Sequence, residues 1–308
     1  MRLDATSADG ALTVRAPAKV NLTLRVLGRR PDGYHDLESV VVALDWFDTL
    51  TFRPADDLVL RVRGMAVPPG EDNLVLKAAR ALQGECGVRQ GARIDLVKRI
   101  PPGRGLGGGS ADAAAALIGL EALWRVGLGP ADLARVGARI GSDVPFFLGP
   151  PVSVMAGRGE RIEPLEARPR WWMTMAWPDY GNSTAEVYAA FDRMADGRRT
   201  RPAATDILAA VDGPAAGAAP FLVNDLERAA AGIRSDAMDL RRVLEEAGAA
   251  AVGMTGSGSA YFALADTREE ARALAEAAAS ARVKTRVAQL AEGKQPEERP
   301  PCKSPTSQ

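Results

Sequence analysis

The chain has 308 residues, 46% hydrophobic and 25% charged, a soluble globular balance with length enough for two domains. Lysine plus arginine and aspartate plus glutamate number 39 each, so no global field recruits nucleic acid or an anionic membrane. Cys86 and Cys302 lack metal-ligand spacing, the opening MRLDATSADGALTVRAP has no apolar signal core, and no apolar run is long enough to span a bilayer. A disulfide scaffold and a zinc module are excluded, and a cytoplasmic protein in a reducing compartment is expected.

KVNLTLRV, from Lys19 to Val26, alternates polar and apolar residues, which predicts a half-buried strand with Lys19 and Asn21 on the face away from the packed one. RRPDGYH then turns the chain, because proline presets φ and glycine tolerates positive φ. LESVVVALDWFDTLTF, 37–52, reads as one strand or two. EDNLVLKAARALQGECG predicts a helix with Leu74, Ala78, Ala81 and Leu82 on one face. GARIDLVKRI, 91–100, reads as a strand that feeds a glycine-dense loop, and an alanine-rich helix follows from about Ser110 to Val126. PADLARVGARI predicts a helix closed by Gly141 at C′, and SVMAGRGERIEPL a hairpin around 157–159.

A second unit is expected from RWWMTMAWP, 170–178. The Ala/Gly/Pro/Arg-rich stretch 195–220 reads as a mobile excursion. Helix 222–247, strand 249–254, a second glycine loop at MTGSGSA, strand 260–264, helix 267–281 and a strand near 283–290 follow. The tail 292–308 is disordered by composition. Strands and helices do not alternate as βαβ units, so an α+β fold is expected rather than a doubly wound sheet, divided into domains 1–165 and 166–291.

The loop PPGRGLGGGSA, 101–111, carries the chemistry. Residues without side chains let backbone amides approach phosphate oxygens, and a helix starting there points its positive dipole end at them. Gly103 and Gly108 have the separation of a Walker A loop, but Gly109 stands where that loop has its lysine. Gly103, Gly105 and Gly108 also match a dinucleotide fingerprint, yet the acidic residue at the required distance, Glu121, lies inside the predicted helix.

A third class fits. Pro101, Gly105, Leu106, Gly107, Ser110 and Ala111 resemble the phosphate loop of the kinase superfamily named for galactokinase, homoserine kinase, mevalonate kinase and phosphomevalonate kinase. PAKVNLTLRVLGRRPDGYHDLESV, 17–40, and GARIGSDVPFFLGPPVSVMAGRGERIEPL, 137–165, are similar to its 4-diphosphocytidyl-2-C-methyl-D-erythritol kinase branch, and MTGSGSAYFAL, 254–264, to the third superfamily motif. The resemblance implies a two-domain small-molecule kinase fold, with an N-terminal domain of the ribosomal S5 domain 2-like type and a ferredoxin-like C-terminal α/β sandwich.

It also implies Lys19 and Asp143 as the catalytic pair. ATP as co-substrate would lie on Pro101, Pro102, Gly103, Arg104, Gly105, Leu106, Gly107, Gly108, Gly109, Ser110 and Ala111, with Asn73 and Lys98 around the adenine. Tyr34 and His35, with Asn21 nearby, would read the cytosine of a cytidine diphosphate substrate, and Thr184 and Tyr188 would complete that site. Magnesium is expected to arrive on the nucleotide rather than in a dedicated metal site. Neither nucleic acid nor membrane is expected as a partner, and the oligomeric expectation is a monomer or weak dimer. Two positions depart from the family pattern: Ala111 replaces the second serine of the loop, and no proline follows Ser183-Thr184.

Overall fold

A computed structural model describes residues 2–4, 11–167, 169–194, 203–234 and 239–291. The expected tail, with Cys302, and the 195–202 part of the expected excursion lie outside the described residues. The first part of the chain forms β1 (Arg2–Asp4), β2 (Leu12–Asn21), β3 (Arg25–Arg29), β4 (His35–Ala55), β5 (Leu58–Gly64), α1 (Leu74–Cys86), β6 (Gly91–Lys98), α2 (Gly108–Trp124), α3 (Pro130–Ile140), α4 (Val144–Leu148), β7 (Val152–Gly157) and β8 (Arg161–Pro164). The remainder forms β9 (Trp172–Trp177), α5 (Thr184–Arg193), two 3-10 segments (Ala204–Ala210 and Ala215–Phe221), α6 (Glu227–Gly232), α7 (Leu240–Glu246), β10 (Val252–Met254), β11 (Tyr261–Ala265), α8 (Arg268–Ser280) and β12 (Lys284–Ala288).

The spine of the first sheet is β4, one continuous strand of 21 residues where the sequence left one strand or two open. Its first half pairs with β3 and β7, its second half with β6, and β2 runs antiparallel along most of it. Among the described strands only β5, a strand the sequence pattern did not reveal, runs parallel to its neighbour, β6. The second sheet is antiparallel in the order β10-β11-β9-β12, a ferredoxin-like arrangement, so the whole is α+β.

One face of the first sheet carries α1 to α4, with Val14, Leu50, Phe52 and Ile94 packed against Ala114, Leu117 and Leu120. The opposite face puts Val20, Val42, Leu44 and Trp46 against Met173, Met175 and Phe262 of the second sheet. β2 is therefore covered on both sides, and Lys19 and Asn21 are only 4% and 5% exposed instead of solvent-facing. Period two read the alternation correctly but not what lay over the polar face.

α2 is buried almost all round, and its small residues are the reason it fits: a Cβ on Gly119 would meet Phe52 Cε2 at 2.3 Å. The described part of the expected excursion, from 203, is not loose: Ile207, Ala210, Ala215 and Ala218 are buried in the core between the sheets. The single helix expected over 222–247 is replaced by the short α6 and α7. Gly141 follows α3 in an extended conformation, φ −171° and ψ 150°, so it does not make the left-handed C′ turn. Among the described residues no helix is long and apolar enough to cross a membrane.

Candidate active site

The glycine loop links β6 to α2. Gly105 and Gly107 have φ of 76° and 68°, left-handed values that cost a residue with a side chain. Both also lack room: a Cβ on Gly105 would lie 2.1 Å from the Thr255 carbonyl oxygen, and one on Gly107 2.8 Å from Lys19 Cγ. The loop is thereby wedged between Lys19 and the second glycine loop, where Thr255 Oγ1 donates to the Gly105 carbonyl at 3.1 Å. α2 starts from Gly107 with no side-chain cap, so its first amides have no acceptor inside the helix and are suited to an anion.

Lys19 reaches the cavity beside this loop. A register shift between Pro17 and Lys19 bends β2 there, and the Lys19 amide donates to the Leu106 carbonyl at 3.0 Å. Asp143 occupies the N-cap position of α4 but its side chain makes no cap bond, and its Oδ2 lies 3.6 Å from Lys19 Nζ. The residue type that usually closes a helix start is thus turned to the lysine. Burial lowers the Lys19 ammonium below its ordinary range, and Asp143 opposes that shift. Lys19 Nζ also donates to Asn21 Oδ1, while Asn21 Nδ2 donates to Ser39 Oγ at 2.7 Å. The Asn21 amide donates to Thr255 Oγ1 at 3.0 Å, so Asn21 fixes the lysine from below.

Tyr34 and His35 lie at the start of β4. Tyr34 is 53% exposed and the Arg158 guanidinium sits 4.8 Å from its ring centre. His35 is buried, its Nε2 is 2.8 Å from Asp192 Oδ1, and its ring stacks on Tyr188 with centroids 4.8 Å apart and planes at 24°. Tyr188 and Asp192 are one turn apart on α5 and so address the same ring. That direct stacking leaves no layer for a base between His35 and Tyr188. The Thr184 hydroxyl is 2.9 Å from Ser257 Oγ of the second glycine loop.

Asn73 lines the cavity as the N-cap of α1, with its Oδ1 accepting from the Val75 amide at 3.0 Å. Lys98 is no surface residue: it is 2% exposed and held between Asp48 and Asp112. Arg104 spends its guanidinium on backbone carbonyls, donating to Asp179 at 2.6 Å and to Pro102 at 2.9 Å, which braces the loop against the turn after β9. Pro101 and Ala111 are buried beneath the loop, while Pro102, Gly103 and Gly109 are exposed. Thr255, Ser257, Arg158 and Asp192 were missed as individual residues. The first two lie in MTGSGSA, which the sequence marked by its glycine density and by its similarity to the third superfamily motif.

Apart from Thr255 and Ala111, which lie behind the wall, the candidate site residues line one cavity of about 970 Å³, at the upper end of the range for small-molecule sites. Lys19 touches its glycine-loop side. Asp143 reaches toward the other, where a Cβ on Gly159, next to Arg158, would lie 3.5 Å from its Oδ1.

Comparison with known proteins gives the family. Residues 73–149 match the GHMP kinases N terminal domain and residues 218–284 the GHMP kinases C terminal model. The 4-diphosphocytidyl-2-C-methyl-D-erythritol kinase of Pelotomaculum thermopropionicum is 44% identical over 86% of this chain and 92% of its own. The enzyme of that name from Moorella thermoacetica is 43% identical over 86% and 93%. A crystal structure of a 4-(cytidine 5'-diphospho)-2C-methyl-D-erythritol kinase superposes with a TM-score of 0.77 at 37% identity, covering 91% of this chain and all of that one (100%). The chain is a small-molecule kinase and belongs to the 4-diphosphocytidyl-2-C-methyl-D-erythritol kinase family.

Proposed function

We propose that this kinase transfers the γ-phosphoryl group of ATP to the 2-hydroxyl of 4-diphosphocytidyl-2-C-methyl-D-erythritol, giving the 2-phosphate and ADP in the non-mevalonate isoprenoid pathway. The observation that carries the reading is that one cavity holds the glycine loop, the Lys19–Asp143 pair and the Tyr34–His35 turn. The donor phosphates lie on the loop amides and the start of α2. Asp143 accepts the proton of the attacking hydroxyl. Lys19 pairs with that carboxylate and neutralises charge on the transferring group, and Asn21 keeps the ammonium in place.

Tyr34 and His35 bind the cytosine, with Tyr188 and Asp192 holding the His35 ring and Arg158 lying over Tyr34. Magnesium comes with the nucleotide, on phosphate and water oxygens, and neutralises phosphate charge there. We assign it no protein ligand. The enzyme acts in the cytoplasm.

An ADP-release assay with three acceptors tests this. Turnover is expected with the cytidine-linked methylerythritol and not with homoserine or mevalonate. Turnover confined to either of the other two sinks the assignment.

A further inference from the structure

A buried charged cluster beneath the glycine loop, whose Lys98 and Asp112 reach the edge of the cavity, was given no role in the transfer described above. Lys98, the last residue of β6, donates from Nζ to Asp48 Oδ2 at 2.5 Å and to Asp112 Oδ2 at 2.7 Å. Asp48 belongs to β4 and is fully buried, and its Oδ1 accepts from the amides of Arg99 at 2.5 Å and Ile100 at 2.9 Å. Asp112 lies just past the first turn of α2, 3% exposed, and its Oδ1 is buried without a hydrogen-bond partner. Asp48 thus grips the chain where it enters the loop and Asp112 where it leaves, while Lys98 ties the two together. The fit is close, because a Cβ on Gly108 would lie 2.9 Å from Lys98 Nζ.

Two carboxylates share one ammonium here, and an unbalanced charge in a buried site is costly. We propose that Asp48, Lys98 and Asp112 form a positioning clamp for the glycine loop, and that nucleotide binding requires Asp112 to carry a proton. The inference rests on the reading of the loop as the ATP site. With Asp112 protonated, the cluster is neutral and its spacing is held. Ionised Asp112 adds a buried negative charge behind amides that must receive phosphate. The charged groups facing Asp112 are Lys98 from β6 and Asp48 from β4. Burial, only partly offset by Lys98 and reinforced by Asp48, pushes the Asp112 carboxyl up to about 8. A folded value raised above the ordinary carboxylate range means that stability is complete only below that ordinary range and is lost progressively as pH rises to about 8.

The experiment measures the Kd of the magnesium complex of a non-hydrolysable ATP analogue between pH 6 and pH 10. The wild type should weaken at least threefold as pH rises through about 8, and Asp112→Asn, an uncharged replacement of the same shape, should lose that step. Asp48→Asn removes the charge that raises Asp112, so its step should move to lower pH. The same step in wild type and Asp112→Asn would overturn the clamp while leaving the ATP site standing. No nucleotide binding by the wild type at any pH would overturn both. Melting temperatures across the same range report folding separately: Asp112→Asn should resist alkaline destabilisation better than the wild type.

Discussion

The two ends of the cavity are built by opposite means. The glycine-loop end is made of backbone: left-handed glycines, open amides at the start of α2, and side chains such as Arg104 and Lys98 that brace the loop from outside or beneath. The Tyr34–His35 end is made of side chains drawn from far apart in the chain, with His35 set by Tyr188 and Asp192 of α5 and Tyr34 covered by Arg158 of the β7–β8 turn. A backbone cradle is specific for phosphate, which every nucleoside triphosphate carries. A side-chain socket is specific for one base. On the proposed assignment, the donor end can therefore be shared across a superfamily while the acceptor end distinguishes its members.

The largest effect should fall where the two ends meet. Lys19→Ala and Asp143→Asn are each expected to lower kcat by about 10²–10⁴-fold while ATP binding is kept, the range for losing a positioned general base or its electrostatic partner. Near-normal kcat in either variant would show that the pair does not join the ends as proposed. A smaller loss is expected from breaking the backbone end alone. Gly105→Ala forces a side chain into a left-handed position and against the Thr255 carbonyl, so KM for ATP should rise by roughly tenfold or more, with stability reduced by about 1–3 kcal/mol. An unchanged KM for ATP and an unchanged Tm would contradict the wedged loop. The most selective effect belongs to the side-chain end. His35→Ala should raise KM for the cytidine substrate by about 5–30-fold, the cost of a lost hydrogen bond and stacking partner, and leave KM for ATP near its wild-type value. Equal changes in both constants would mean that His35 supports the cavity as a whole and reads no base.

Much of the backbone end was legible in the sequence. Glycines at 103, 105, 107, 108 and 109 between a strand and an alanine-rich helix state a geometry directly: the first three take left-handed φ values that favour glycine, and a side chain at 105, 107 or 108 would collide with its neighbours. The side-chain end was legible in part. Tyr34-His35 follows a turn that Pro31-Asp32-Gly33 announces, but Asp192 lies 157 residues from His35 and no local pattern joins them. Lys19 illustrates the limit differently: period two placed it with Asn21 on one face, and only the loop packed over that face made it a buried cation. Lys98 reads as an ordinary charged end of a strand until Asp48, 50 residues earlier, and Asp112, 14 later, are brought onto its ammonium.

By itself the sequence determined the glycine cradle, the helix that follows it, the turn before Tyr34 and the α+β character, because these depend on local φ preferences and on hydrophobic period. Tertiary structure alone decided which polar residues became buried partners. The Lys19–Asp143 contact, the His35–Asp192–Tyr188 cluster and the Asp48–Lys98–Asp112 clamp each need segments far apart in the chain to meet. The physical reason is that a charge gains its function from what surrounds it: desolvation and opposing charge arise only when sheets and helices close over the side chain.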